Sequence, residues 1–538
     1  KEWNQMNPST KNIMKEILIG YVQKSRWFRG KARKIKRIEI KDTISLETGK
    51  LSAYVVFIEI IYIEGRYEQY IIPLSVTTGD DISDKRHKYP EALIAFVEID
   101  GTEGLIIDGA YDRKVRDLLF RLIFQKGKLR HKRGAIVGIP GKKLSKKVSK
   151  NELPLLSRIL TADQSNTSVL YDNRFFFKLY RSPEEGNNPE MEIIRTLTEN
   201  SNFQNFPAFS GALEYQVGGA ENTGLGILVD FIPNEGNAWE FTQSAIDQFF
   251  DRIIQQKEEL MAAKYGNNIA ELAGSEKMND LLGQFFTDMV ALLGKRTAEM
   301  HLALASVKNK KEFTQEPFSL LYQKSLYQSF RTLIKRTFNQ VKSAKVKLND
   351  EQAELLNDIL KNENELLSVI KKRLEQKKIN TTKIRVHGDY HLGQVLFTGK
   401  DFIIIDFEGE PTRSITARKL KHCPFKDVAG MLRSFHYSIN MGQVENESKM
   451  PESSDFLQPW LKAWYQTVQD IFLKSYLETA KDASFIPDDK DQLHDLLAVY
   501  TIEKAVYELD YEINNRPDWL HIPLSGLQMI MDDLLTKS

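Results

Sequence analysis

The chain has 538 residues, a single cysteine, and 75 basic against 73 acidic side chains. At about 150 residues per domain this is three or four domains, or one large enzyme with insertions, and so long a chain needs no disulfide staples. The near-balance of charge argues against a dedicated nucleic-acid binder, and Cys423 has no partner for an intramolecular disulfide.

From the start, KNIMKEILIGYVQKSRWF has helical spacing, with Ile13, Ile17, Leu18, Tyr21 and Val22 on one face. Three strand-like runs follow, IKRIEIKDTISL from Ile35, LSAYVVFIEIIYI from Leu51 and YEQYIIPLSV from Tyr67, separated by turns at Glu47 to Lys50 and Gly65 to Arg66. The second run is the most apolar in the chain. Glu59 breaks it, and it falls short of the ~20 residues a membrane helix needs. A helix is predicted over 112–126. Lys126 to Lys150 then holds ten Lys or Arg and no acid, a pattern that more often makes a solvated hairpin or loop than a nucleic-acid site.

Beyond Leu155 the pattern changes. SVLYDNRFFFKLYR reads as two strands joined by a turn, NPEMEIIRTLTEN opens a helix at Pro189, and GLGILVDFI is a further strand. From Trp239 onward the sequence is largely helical, interrupted by IRVHGD and DFIIIDF near residues 384–407.

That interruption carries the chemistry. VHGDYHLGQVLFTGKDFIIIDFEGEP, from Val386, parallels the kinase catalytic loop and its following Asp-Phe-Gly. An aspartate must stand beside the attacking hydroxyl, and Asp389 is so placed in the His-x-Asp pattern. A second aspartate and an amide oxygen suit Mg²⁺, which takes hard oxygen ligands; Asp406 and Gln394 fill those positions. Upstream, Ser165, Asn166, Thr167 and Ser168 lie in QSNTSVLY, a polar turn whose N–H groups and hydroxyls can cap phosphates. Lys178, alone in an apolar strand, needs a phosphate or a carboxylate, because burying an unpaired ammonium is costly. Glu190 and Glu192 open the next helix and either can pair with it. ILVDFIPNEGNAW suits a hinge where backbone around Val229 to Phe231 meets adenine.

HGDYHLGQVLF, IDFEGEP, DVAGMLRSFHYS, GKRTAEMHLALAS and YELDYEINNRPDWLHIPLSGL resemble the maltokinases, relatives of aminoglycoside phosphotransferases and, more distantly, of protein kinases. SRWFRGKARKI resembles their N-terminal cap domain. The resemblance covers nearly the whole chain. It implies an α+β, bilobal protein-kinase-like fold with a β-rich cap over 1–90, a nucleotide-binding lobe over 91–232 and a mainly α-helical lobe over 233–538. It also implies ATP and Mg²⁺ as cofactors, maltose as substrate and maltose 1-phosphate, a feedstock for α-glucan synthesis, as product.

Carried over by residue, the resemblance implies Asp389 as base, Gln394 and Asp406 on Mg²⁺, and Lys178 with Ser165, Asn166, Thr167, Ser168, Glu192, Val229 and Phe231 around the nucleotide. Glu408, where protein kinases carry Gly, is a metal or sugar contact or a salt-bridge partner of Arg413 or Arg433. On the sugar side it points to Asp389, His391 and Glu408, and to Lys504, Tyr511 and Trp519. Lys504, Tyr507, Glu508 and Tyr511 fall on one helical stripe, which suits either a sugar or a packed neighbour. His301 reads as a hydrogen-bonded core histidine. Rival acceptors on the same scaffold are glucosamine, glucose or an aminoglycoside, and a catalytically silent sugar-binding module of a fusion is the alternative from another class. The start has neither an initiator Met nor an apolar signal core. The expectation is therefore a cytoplasmic kinase, free of nucleic acid and membrane, cut from or fused to a trehalose synthase.

Overall fold

The computed structural model describes residues 8–46, 52–79, 81–99, 101–131, 133–160, 165–262, 269–344, 348–446 and 454–536. Leu51, the turn at 47–50, Lys132 and Gln164, each part of a segment read above, lie outside the described residues. The chain separates into two compact units, Lys1–Thr198 with Pro207–Ile232, and Glu199–Phe206 with Pro233–Ser538.

Period-two alternation of apolar residues makes the first unit a strand-rich one. After the helix Pro8–Lys24 come β1 (Ile35–Ser45), β2 (Ser52–Tyr62), β3 (Tyr67–Thr78), β4 (Leu93–Ile99) and β5 (Thr102–Asp108), an antiparallel sheet in the order β1-β2-β3-β5-β4. This sheet runs past residue 90, where the sequence reading ended the cap, as far as Asp108. Tyr21, Trp27, Phe28 and Tyr70 are buried with Ile38, Ile58 and Ile60 in its core.

The helix Arg113–Phe124 starts at Asp112, whose carboxylate accepts the Lys114 N–H, and buries one apolar face. It packs in one apolar cluster with residues of the cap sheet, such as Ile44 and Val55, and with those of a second sheet, so that cluster joins the two sheets. That sheet contains β6 (Lys128–Arg130), β7 (Gly134–Pro140), β8 (Ser157–Leu160), β9 (Thr167–Tyr171), β10 (Phe175–Leu179), β11 (Phe209–Val217) and β12 (Thr223–Asp230). Its order is β6-β7-β11-β12-β10-β9-β8, antiparallel throughout. The basic segment is thus the β6–β7 hairpin and a short helix, with Lys147 on the Asp230 carboxylate. Asp172 and Asn173 both adopt φ +51°, in the left-handed region, within the three-residue turn 172–174 that joins β9 to β10.

The second unit is mainly helical. Its long helices are Ala238–Gln255, Gln284–Ala305, Leu320–Ser343, Phe425–Asn446, Ser454–Ala480 and Lys490–Asn515. Asn237 and Glu240 form a reciprocal capping box at the first of these. A short antiparallel hairpin, Val395–Phe397 with Phe402–Ile404, is set among the helices, and Phe397 stacks on Phe241 at 4.3 Å. No helix among the described residues is long and apolar enough to cross a membrane.

Candidate active site

In the first unit the FFFKL strand alternates cleanly. Phe175, Phe177 and Leu179 point into the core, which turns Lys178 to the other face, where it is 8 % exposed. Gly226 is required opposite this strand: a Cβ there would meet the Phe177 ring at 2.7 Å and the Lys178 carbonyl at 2.8 Å. The Lys178 Nζ lies 3.3 Å from the Glu190 carboxylate, which also accepts the Tyr180 hydroxyl at 2.7 Å. The pairing left open by the sequence therefore falls to Glu190. Glu192 stands two residues on in the same first turn of the helix Pro189–Asn200, and so points to another side of it.

Asn166, Thr167 and Ser168 are buried at the start of β9, and the Asn166 amide donates to the Ser165 hydroxyl at 3.2 Å. The Thr167 hydroxyl accepts from Arg181 Nε at 2.7 Å, and Ser168 lies opposite Lys178 in the ladder. Val229 is buried in β12, opposite Phe176. The Phe231 N–H donates to the Arg174 carbonyl at 2.9 Å, so that N–H serves the fold rather than a base edge.

In the second unit the catalytic-type loop is tied down from both sides. Asp427, in the first turn of Phe425–Asn446, accepts the His387 N–H at 2.7 Å and the Gly388 N–H at 2.9 Å. His301, fully buried, lies 3.1 Å from Asp427 and 2.9 Å from the Tyr476 hydroxyl, the core histidine expected. Burial by itself would raise the Asp427 pKa, but His301, His387 and the loop N–H hold it below the usual carboxylate value. The His387 Nε2–H donates to the Ile405 carbonyl at 2.8 Å, which fastens the loop to the residue before Asp406. Gly388 adopts φ +88°, and a Cβ there would press on Gly409 Cα at 3.3 Å.

This scaffold brings five predicted residues into contact with one another, in two groups. The Gln394 amide donates to Asp406 at 3.0 Å, and Asp406 holds φ +61°, a left-handed conformation costly for a non-glycine residue. Carboxylate oxygens of Asp406 and Glu408 lie within 4.8 Å of each other. Lys504 Nζ is 3.7 Å from Asp389, each side chain about a fifth exposed (23 % and 22 %). Burial opposes the Lys504 charge, yet Asp389, Glu508, Glu410 and Glu503 raise its pKa, so it remains an ammonium. His391 caps the short turn Leu392–Gln394 by accepting the Gly393 N–H at 3.1 Å, and burial lowers its pKa, so its ring is neutral.

The other sugar-side residues part company. Tyr507 reaches from the Lys504 stripe to Glu410 at 2.6 Å, whereas Glu508 turns into the core against Arg433 at 2.8 Å. Arg413 lies 3.7 Å from Glu503, and Arg433 is taken by Glu508. Tyr511, 42 % exposed, and Trp519 sandwich Arg516 at 5.4 and 4.4 Å. Sequence reasoning missed Asp427 and Glu410. An acid opening the otherwise apolar DVAGML run was the available signal for Asp427, since a buried carboxylate needs partners; nothing local marked Glu410.

Hard oxygen donors from Asp406, Gln394 and Glu408 form a set that fits a divalent cation such as Mg²⁺. A β-rich N-terminal unit, followed by a helical one bearing this loop, is the kinase-like α+β fold. Residues 21–112 match the maltokinase N-terminal cap domain. Glucosamine kinase of Streptacidiphilus jiangxiensis is 28 % identical over 157 residues, 29 % of this chain and 33 % of that protein. Glucosamine kinase of Mycolicibacterium smegmatis is 20 % identical over 379 residues, 70 % of this chain and 80 % of that protein. A solved glucosamine kinase in complex with glucosamine, ADP and inorganic phosphate has 17 % identity and a TM-score of 0.59, covering 92 % of this chain and 93 % of its own. A second crystal form of glucosamine kinase gives 0.60 at 17 % identity, over 93 % and 95 % of the two chains. At that identity the structural likeness is one of fold. The chain is thus similar to the maltokinases in its cap, over residues 21–112, and to glucosamine kinases in fold over most of its length.

Proposed function

We propose that the protein is an ATP-dependent sugar kinase that phosphorylates maltose at its anomeric hydroxyl. The observation that carries this reading is an anchored loop system that bears Asp389, Gln394 and Asp406, with Lys504 brought to Asp389 from the helix Lys490–Asn515: a base with a cation beside it, and two metal-type donors twelve residues apart in sequence. In this reaction O1 of the sugar bonds to the γ-phosphorus while the bond from that phosphorus to the β-phosphate oxygen breaks, and the hydroxyl proton passes to the Asp389 carboxylate. The anomeric hydroxyl is more acidic than an ordinary alcohol, so a carboxylate is base enough. Lys504, 3.7 Å from Asp389, offers a donor to a neighbouring sugar oxygen. Lys178, oriented by Glu190, binds the nucleotide phosphates. Bound Mg²⁺ would be held by Asp406, Gln394 and Glu408 and would neutralise phosphate charge.

Phosphorus NMR of the product from maltose and Mg-ATP tests donor, acceptor and position together. The expected outcome is one new anomeric phosphate resonance. The second reading, phosphorylation of glucosamine, is favoured by the relatives named glucosamine kinase and their likeness over most of the chain. Transfer to glucosamine with none to maltose would replace the first reading with the second. Transfer to neither sugar, or to glucose alone, would overturn both.

A further inference from the structure

The helix Phe425–Asn446 has two working faces. Asp427 and Ser434 meet the catalytic-type loop, Ser434 through its hydroxyl, which accepts the Leu392 N–H at 3.1 Å. At 3.6 residues per turn His436 stands half a turn round from Asp427, and Ile439, Asn440 and Gln443 follow it at i+3, i+4 and i+7. That second stripe takes no part in the reaction proposed above. It forms one wall of a cavity of about 410 Å³, which the helices Ser454–Ala480, Asp350–Lys361 and His521–Thr536 complete. The volume lies within the roughly 300–1,000 Å³ of small-molecule sites.

The lining sets what such a site takes. Leu355, Ile439, Leu461 and Met529 supply hydrocarbon from the four helices. Among them stand four side-chain amides, Asn440, Gln443, Gln458 and Gln528. An amide both donates and accepts, as a hydroxyl does, so amides complement hydroxyls spread round a carbon skeleton. Gln528 donates to Asp532 at 2.7 Å, while its Oε1 is shielded from water and accepts no hydrogen bond from the described residues. A buried carbonyl oxygen of that kind is costly until a donor reaches it. Charge in the lining cancels, since its one lysine, Lys462, is balanced by its one carboxylate, Asp532. Burial and the Arg433 charge hold the His436 pKa well below its ordinary value, so that ring is neutral. A phosphorylated ligand would therefore find no net positive charge. A fatty chain would leave four amides without partners, each at a cost in free energy.

We propose that this cavity is a second binding site, apart from the candidate active site, for a neutral polyhydroxylated molecule of one or two sugar rings. The apolar side chains meet its C–H faces and the amides its hydroxyls. The proposal stands or falls independently of the acceptor that Asp389 serves.

Hydrogen exchange of the full chain, followed by mass spectrometry with and without maltose or glucose, tests it. At about 20 mM sugar, exchange at residues 439–443 and 525–529 is expected to slow about threefold or more. Gln528→Leu, which removes the amide at nearly constant volume, should raise Kd about fivefold, read from the slowing across a maltose titration. Met529→Trp, which fills the cavity, should abolish the slowing. Both variants should keep kcat and KM for the phosphorylated sugar within about twofold of wild type. If Met529→Trp fails to fold, Gln528→Leu decides. No slowing at these residues with either sugar overturns the proposal, as does an unchanged Kd in Gln528→Leu. Slowing by adenosine and by neither sugar overturns it in favour of a planar base. Activity lost in parallel with the slowing would make the cavity part of the active site, and the second site falls. Failure of the kinase reading shows differently: no phosphate transfer to any sugar, with the slowing retained, leaves this site standing.

Discussion

Asp389 and Lys504 hold opposite charges 3.7 Å apart, and each depends on the other for its role in the proposed reaction. Asp389→Asn keeps the shape and removes the base. The expected loss in kcat is about 10²- to 10⁴-fold with ATP affinity intact, read by steady-state kinetics beside calorimetric ATP titration. Near-normal turnover would remove Asp389 from the mechanism. The Lys178 pair makes a sharper comparison, because two neighbouring glutamates were candidates. Glu190→Gln should raise KM for ATP about 10- to 100-fold, the range of a lost charge-assisted hydrogen bond, and Glu192→Gln should leave it nearly unchanged. Equal effects from both would contradict the observed pairing. The Lys178 environment was legible in FFFKLY because a lone lysine in an apolar strand has to find an anion. The choice between the glutamates was not, because the helix's rotation about its axis depends on its packing partners.

At the scale of elements, the helix Phe425–Asn446 acts as a mount for the catalytic-type loop. Asp427 receives two consecutive loop N–H groups, and Gly430 lets the helix come close: a Cβ there would meet the Tyr390 carbonyl at 2.5 Å. Asp427→Asn keeps one acceptor and should cost about 1–3 kcal/mol of stability, whereas Asp427→Ala, which takes the acceptor from the two buried loop N–H groups and from His301 Nε2, should cost about 3–5 kcal/mol. Urea denaturation gives both values, and a cost below about 0.5 kcal/mol for the alanine variant would show that the loop is held by other means. The HGD and DFEGE motifs were readable because their residue types and spacing are set by chemistry. Their mount was not, since 40 residues separate His387 from Asp427 and hydrophobic pattern says nothing of such a long-range hydrogen bond.

For the whole molecule, pH gives a reading of the helical unit's interior. Burial, with Lys426 next, pushes His422 down to about 3, and burial with Arg433 holds His436 well below its ordinary value. The unfolded chain binds a proton at each near pH 6.5, and the folded chain does not. Stability from these two residues is complete above that pH and falls as pH drops through it, by up to ~1.4 kcal/mol per pH unit for each histidine. Asp427 works in a different window: its folded value is lowered, so its contribution persists above about pH 4 and is lost only below. The expected outcome is a urea midpoint that falls between about pH 7 and pH 5, with a shallower fall in His436→Gln. A flat profile over that range would show that the two rings gain protons without unfolding.

Composition and local pattern determined the elements: a strand-rich front, a helical back, and a catalytic-type loop followed by an apolar strand and Asp-Phe. These follow from periodicity and from the oxygen donors that phosphoryl transfer needs, both of which act over a few residues. Tertiary structure alone decided which partners those residues meet. It paired Lys178 with Glu190, turned Glu508 from the sugar stripe to Arg433, wrapped Tyr511 and Trp519 around Arg516, and carried the Lys178 strand into the cap sheet at Arg181. Each outcome depends on how buried charges are satisfied across long stretches of chain. That is a property of packed neighbours in three dimensions rather than of spacing along one strand or helix.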